Sequence, residues 1–188
     1  MKTVRSRLGR GFTLVELLIV VAIIAVLAGL SAGVSNMVIR KARIAEAHAA
    51  MHGIVSGVEA YRTEYNRYPD VGDPANEIGI DVAETIRILH PAPGDAAAAA
   101  KNPHNGMYFT PKLAKDGRGG LTSSGDYVDP WGVSYHLGFD KNNDGQIENP
   151  FKGSGEPSFL PLNVIVWSDG PDNKNGNQNT SDDVKSWQ

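Results

Sequence analysis

The sequence predicts an α+β fold: a long N-terminal helix, apolar in its first half and amphipathic in its second, packed on a small antiparallel sheet with a loop-rich C-terminus. Three observations predict it. No residue from Leu17 to Val34 carries a charge. Ile44, Ala47, Met51, Ile54, Val58, Tyr61, Tyr65 and Tyr68 recur at alternating intervals of three and four, which puts them on one helical face. Beyond residue 126, two strand-like runs, the second rich in β-branched residues, stand among Gly, Pro, Asp and Asn turn signals.

The apolar run comes first. A helix needs roughly 20 mostly apolar residues to span a bilayer, and this stretch provides them. Lys2, Arg5, Arg7 and Arg10 precede it with no acid among them. Basic flanks stay on the cytoplasmic side, so the C-terminal part faces outward. Glu16 is the only ionisable side chain between Arg10 and Arg40, and a carboxylate at that depth calls for a reason. An ordinary secretory signal is the rival reading, with Ser31-Ala32-Gly33 as its cut site. The longer apolar run and Glu16 argue against it.

Arg10-Gly11-Phe12-Thr13-Leu14-Val15-Glu16-Leu17-Leu18 resembles the class III signal of type IV pilins and type II secretion pseudopilins. The resemblance implies cleavage after Gly11 by a prepilin peptidase and N-methylation of the new terminus, Phe12. It makes Glu16 the fifth mature residue, which is a glutamate in that family. An amine freed at Phe12 would stand about one helical turn from Glu16. Paired with the amine of a neighbouring copy, the carboxylate sets the axial register of a filament, and each charge offsets the other's desolvation. The other reading is an acid that snorkels to the interface without a partner.

The chain has 188 residues, enough for one modest domain and an anchor. Four of the 18 Lys+Arg and none of the 21 Asp+Glu precede Phe12, leaving 14 against 21 and a mature net charge of −7. That balance offers no basic surface for nucleic acid. There is no cysteine, so neither a disulfide framework nor a thiolate metal site is available.

No proline occurs before Pro69, so one helix can run from Phe12 to Asn66, roughly 80 Å at 1.5 Å per residue. Its apolar stripe has two readings: a face packed on a sheet of the same chain, or a coiled-coil seam. Gly29/Gly33 and Gly53/Gly57 have the spacing that allows close packing or local unwinding. His48 and His52 lie four apart, but Ala49 follows His48, so no HExxH pattern forms and both read as solvated. Tyr65-Asn66-Arg67-Tyr68-Pro69 ends the helix and looks like the aromatic exit of major pseudopilins. Residues 70–126 are the least readable. Val82 to His90 reads as a short helix, Ala96–Ala100 as a helical turn or loop, and Met107-Tyr108-Phe109 as a short strand.

Tyr127-Val128-Asp129-Pro130-Trp131-Gly132-Val133-Ser134-Tyr135 resembles the Asp-Pro-Trp-Gly-x-Pro-Tyr segment of major pseudopilins, with Ser134 in place of proline. Asp-Pro starts a turn, Trp131 supplies aromatic area and Gly132 permits a positive φ. Val133 to Phe139 and Leu162 to Trp167 read as strands.

An acidic loop follows each strand. Asp140, Asn142 and Asp144 with Gly145 match the first half of a calcium loop, whose alternate oxygens converge on one ion. The twelfth position is Phe151, so an acid from elsewhere would have to complete it. The other reading is a solvated turn. The second loop runs from Trp167-Ser168-Asp169-Gly170-Pro171-Asp172 to Asp182-Asp183-Val184 and Trp187. It is similar to the C-terminal calcium loop of major pseudopilins. The similarity implies Asp172 and Asp183 as carboxylate ligands, and Asp169 and Asp182 as carbonyl ligands. Thr180 or a nearby Asn would be a further donor. A disordered polar tail is the other reading.

The expected organisation is a leader over 1–11, a transmembrane helix over 12–39, its amphipathic half over 40–68 and a head over 69–188. The resemblance implies a subunit anchored once in the inner membrane with its head in the periplasm. It polymerises with itself and other pseudopilins into the pseudopilus of a type II secretion system, on an inner-membrane platform and after processing by the peptidase. The alternative is a type IV pilin of a surface fibre. No catalytic pattern points to an enzyme.

Overall fold

The computed structural model describes residues 12–73, 75–152, 155–174 and 182–188; the side chains of 30–36 are outside the description. The expected leader, with Gly11 and the four basic residues before it, therefore lies outside the described residues, as does Thr180. The chain divides into two compact units, Met1–Lys41 and Ala42–Gln188.

α1 (Leu14–Tyr65) supplies the described part of the first unit and the first element of the second. Nothing in its sequence interrupts the backbone ladder until Asn66, which takes a left-handed φ of 52° and closes the helix three residues before Pro69. In the first unit its apolar side chains are exposed, Leu14, Leu18 and Val26 among them. Among the described residues no helix is long and apolar enough to cross a membrane.

In the second unit the stripe on α1 is buried by the unit's own chain. Ala47, Met51, Ile54, Val58 and Tyr61 are inaccessible to solvent and share a core with Leu137, Phe139, Val164, Val166 and Val184. That outcome favours the packed-face reading of the stripe over the coiled-coil seam. Gly53 and Gly57 make room for the 108–109 segment: a Cβ on Gly53 would stand 2.8 Å from the Phe109 ring, and one on Gly57 3.0 Å from the Tyr108 carbonyl oxygen.

α2 (Val82–Leu89) forms where the apolar pattern places it, and the Asp81 carboxylate accepts from the Glu84 N–H at 3.0 Å. The alanine run becomes α3 (Ala96–Lys101), capped by Asp95, which also pairs with Arg87 on α2. Met107-Tyr108-Phe109 is not the expected strand. The Tyr108 and Phe109 N–H groups both donate to the Leu89 carbonyl at the end of α2, which diverts them from any strand ladder.

The main sheet has three antiparallel strands in the order β3 (His136–Phe139), β6 (Val164–Ser168), β7 (Val184–Lys185). Leu137 faces Val166, and Ser168 faces Val184. Two small hairpins flank it: β1 (Gly120–Leu121) with β2 (Tyr127–Val128), and β4 (Ile147–Glu148) with β5 (Phe159–Leu160). β3 starts later than expected because Asp129 and Val133 close the preceding turn, the Asp129 N–H donating to the Val133 carbonyl at 2.8 Å. β6 is buried along its whole length, between the α1 core and a second cluster of Ile147, Phe151, Leu160 and Trp167. The fold is α+β, with the long helix and small antiparallel sheets expected.

Candidate functional site

Phe12 is the first described residue and is exposed, just before α1. Thr13 and Glu16 then close on each other. The Glu16 Oε2 accepts from the Thr13 N–H at 2.9 Å and from the Thr13 hydroxyl at 2.8 Å, while the Glu16 N–H donates to the Thr13 Oγ1 at 3.2 Å. This reciprocal capping box satisfies two backbone donors that a helix start leaves open. In an apolar medium those groups find no water, so the box matters more there than on a soluble surface. Sequence reasoning missed Thr13, although Thr-x-x-Glu before an apolar run is the signature of that cap. A carboxylate offers about four acceptor sites, so engagement with Thr13 does not exhaust it.

The C-terminal loop is built by the end of β6 and the start of β7. The Ser168–Val184 pairing brings Asp169 and Asp183 side by side. A 3-10 turn (Gly170–Asp172) follows, and Gly170, at φ 67°, lets the Asp182 carbonyl come within a distance that any Cβ would block. Asp169 and Asp183 are buried, both Asp183 carboxylate oxygens and the Asp182 Oδ1 lack hydrogen-bond partners among the described residues, and burial is the main reason the Asp183 carboxyl is pushed up to about 6. Asp169, Asp182 and Asp172 add to the shift in that order, and Lys185 opposes it. All four predicted acids of this loop thus act on one place. The Asp172 Oδ1 accepts from the Lys174 N–H at 3.0 Å. His136 stacks on Trp167 and brings Nε2 within 2.9 Å of the Asp169 Oδ1, without the alignment of a hydrogen bond.

The same corner is tied to the Asp-Pro-Trp-Gly turn. Buried Asp129 accepts from the N–H groups of Trp131, Gly132 and Val133 through Oδ1 and from the Ser168 hydroxyl, at 2.5 Å, through Oδ2. The Ser168 Oγ in turn accepts from the Gly170 N–H at 3.1 Å. A chain of polar contacts therefore links the turn to the mouth of the acidic loop.

The 140–148 loop is arranged differently. Asp140 is buried and accepts from the Asp144 N–H at 3.1 Å and the Gly145 N–H at 3.0 Å, one bond to each oxygen. Asn142 and Asp144 cap backbone N–H groups of the loop in the same way. Glu77, not singled out from the sequence, comes to this loop: burial is the main cause of its raised carboxyl pKa, and Asp144 and Asp140 contribute. Among the described residues no group of three or more His, Cys, Asp or Glu is arranged to hold a metal ion.

The remaining histidines have separate surroundings. His90 Nδ1 lies 3.0 Å from the Phe109 carbonyl, His104 pairs with Glu64 at 2.8 Å, and His48 stacks on His52.

With the site described, comparison with known proteins adds one finding. The family model for the prokaryotic N-terminal methylation motif matches residues 7–32. The chain carries a pilin-like prepilin signal. The match covers Gly11, Phe12, Thr13 and Glu16 and supports a precursor of the type IV pilin or pseudopilin kind, processed by a prepilin peptidase and anchored through its N-terminus. The long helix against a small antiparallel sheet is consistent with a pilin-like fold. Neither the curated proteins nor the solved structures compared gave a match.

Proposed function

We propose that the chain is a structural subunit of a type II secretion pseudopilus, anchored in the inner membrane with its head in the periplasm. Its work is assembly and not catalysis. The observation that carries this reading is the methylation-motif match, with Phe12 and Glu16 in register ahead of a charge-free run. Cleavage after Gly11 removes four cations and creates an amine that the Glu16 carboxylate of an adjacent copy can neutralise in lipid. Until then Thr13 partners the carboxylate within the monomer. Lateral association of the apolar helices builds a homo-oligomeric helical filament with other pseudopilins on the secretion platform, and extension of that filament moves secreted proteins outward.

The choice of a secretion pseudopilus over a surface fibre rests on the Asp-Pro-Trp-Gly segment, the acidic C-terminal loop and the lack of cysteine for a C-terminal disulfide. Deleting the gene tests it: loss of exported hydrolases from the medium is expected. Loss of surface fibres with secretion intact would instead identify a type IV pilin.

We further propose that the C-terminal loop takes calcium. The orphaned oxygens of Asp183 and Asp182 and the mutual repulsion of four acids are what a hard cation relieves. Asp172 and Asp183 would supply carboxylates, and Asp169 and Asp182 carbonyls. In the 140–148 loop the oxygens of Asp140, Asn142 and Asp144 already accept hydrogen bonds within the loop, and among the described residues its orphan is the Glu77 Oε1.

A further inference from the structure

The head has one region whose charge runs against the rest. From residue 42 onward the chain holds 12 Lys+Arg and 20 Asp+Glu. Four of those cations line one cleft of about 390 Å³: Arg43 on α1, and Lys112, Lys115 and Arg118 from the segment before β1. The acids that line it with them are Glu46 and Asp116, and Glu46 pairs with Lys112. Outside the cleft the balance is 8 against 18.

The cations are presented by a tight hairpin. Lys115 and Arg118 face each other across an antiparallel bridge and exchange backbone hydrogen bonds of 3.0 Å in both directions. Asp116 (φ 52°) and Gly117 (φ 71°) make the turn between them, the left-handed pair that an Asp-Gly hairpin favours. Beside it Leu113 is 75% exposed, the most exposed large apolar side chain among the described residues of the second unit. An exposed leucine between lysines suits a bilayer interface, where the apolar tip enters and the ammonium groups remain at the headgroups.

We propose that the 112–118 hairpin, with Arg43, docks on the surface of an anionic lipid bilayer. The proposal rests on the membrane-anchored reading of the N-terminus. Arg43 follows Ile39, the last residue of the charge-free run, by four positions in the sequence, with Arg40 and Lys41 between them. Arg43 is therefore among the first residues of the head to follow the charge-free run. Each basic residue near an anionic leaflet contributes roughly 1 kcal/mol, about a fivefold bias toward the docked state. The acidic remainder of the head is repelled by the same surface, which fixes which end faces it. Docking would hold an unassembled subunit in one orientation, and extraction into a filament would release it.

The lack of native cysteine makes the test direct. Leu113→Cys in the full chain is labelled with an environment-sensitive fluorophore. The protein is reconstituted into vesicles of neutral phosphatidylcholine, or of phosphatidylcholine with phosphatidylglycerol, and vesicle flotation is measured in parallel. The expected result is brighter, blue-shifted emission in the anionic vesicles only. It is lost in high salt and weakened about fivefold per cation removed in Lys115→Gln and Arg118→Gln. Equal emission in both vesicle types from a chain that floats with both overturns the docking and leaves the anchor intact. A chain that floats with neither overturns both. Emission that rises with protein density in neutral vesicles identifies a second copy of the chain as the occupant, and overturns the lipid assignment.

Discussion

Glu16 is where one side chain serves two states. In the monomer its Oε2 is held by Thr13; in the filament the proposed partner is a neighbour's amine. The two roles separate by mutation. Glu16→Ala is expected to leave membrane insertion intact and to abolish filaments, read by sedimentation of sheared assemblies; normal filament yield would refute the register role. Thr13→Val removes the cap, weakening the helix start by about 1 kcal/mol, and is expected to reduce assembly without abolishing it. Asp183 gives a pH test. Its folded pKa of about 6 lies above the ordinary value of 3.8 that it has in the unfolded chain, so protonation favours the folded state. Its contribution is full below the unfolded value and is lost as pH rises through about 6. In chelator the melting temperature is therefore expected to fall between pH 4 and pH 7, and calcium is expected to restore it at pH 7. Identical melting at pH 7 with calcium and with chelator would remove the calcium proposal. Asp129→Ala strands three backbone N–H donors and the Ser168 hydroxyl, and a loss of at least about 3 kcal/mol is expected in denaturant titration.

At the scale of elements, Gly170 is the hinge of the C-terminal loop. Gly170→Ala meets the Asp182 carbonyl and holds a left-handed φ, so a loss of at least about 1–2 kcal/mol is expected, with weakened calcium response. A melting temperature equal to the parent's would show that the loop does not close there. Elements that repeat a pattern were legible in the sequence. The stripe from Ile44 to Tyr65 fixed the buried face of α1, because a helical period survives any partner that covers it. The Val164–Trp167 part of β6 was legible because it is a continuous apolar run, as burial on both sides requires. Met107 to Phe109 was misread because its backbone serves the end of α2, and a side-chain pattern carries no record of where an N–H goes. The Lys115–Arg118 hairpin carried an Asp-Gly signal but too little flanking pattern to read as paired strands. Glu77 and His136 could not be assigned, since they reach the two acidic loops only through folding.

Over the whole molecule, charge and hydropathy divide the work. An uncharged N-terminal run follows a basic leader, and the head behind it is acidic except at one cleft. In the proposed function such a chain would enter a bilayer in one orientation, and its assembly would wait on removal of the leader's charges. The account's central claim is that cleavage, and it is tested most directly by intact-mass and N-terminal peptide spectrometry of the protein recovered from membranes of cells that hold a prepilin peptidase. The expected product begins at Phe12 and carries one added methyl group. A product that keeps Met1, or one that begins beyond Gly33, would leave Glu16 without its partner and contradict the account.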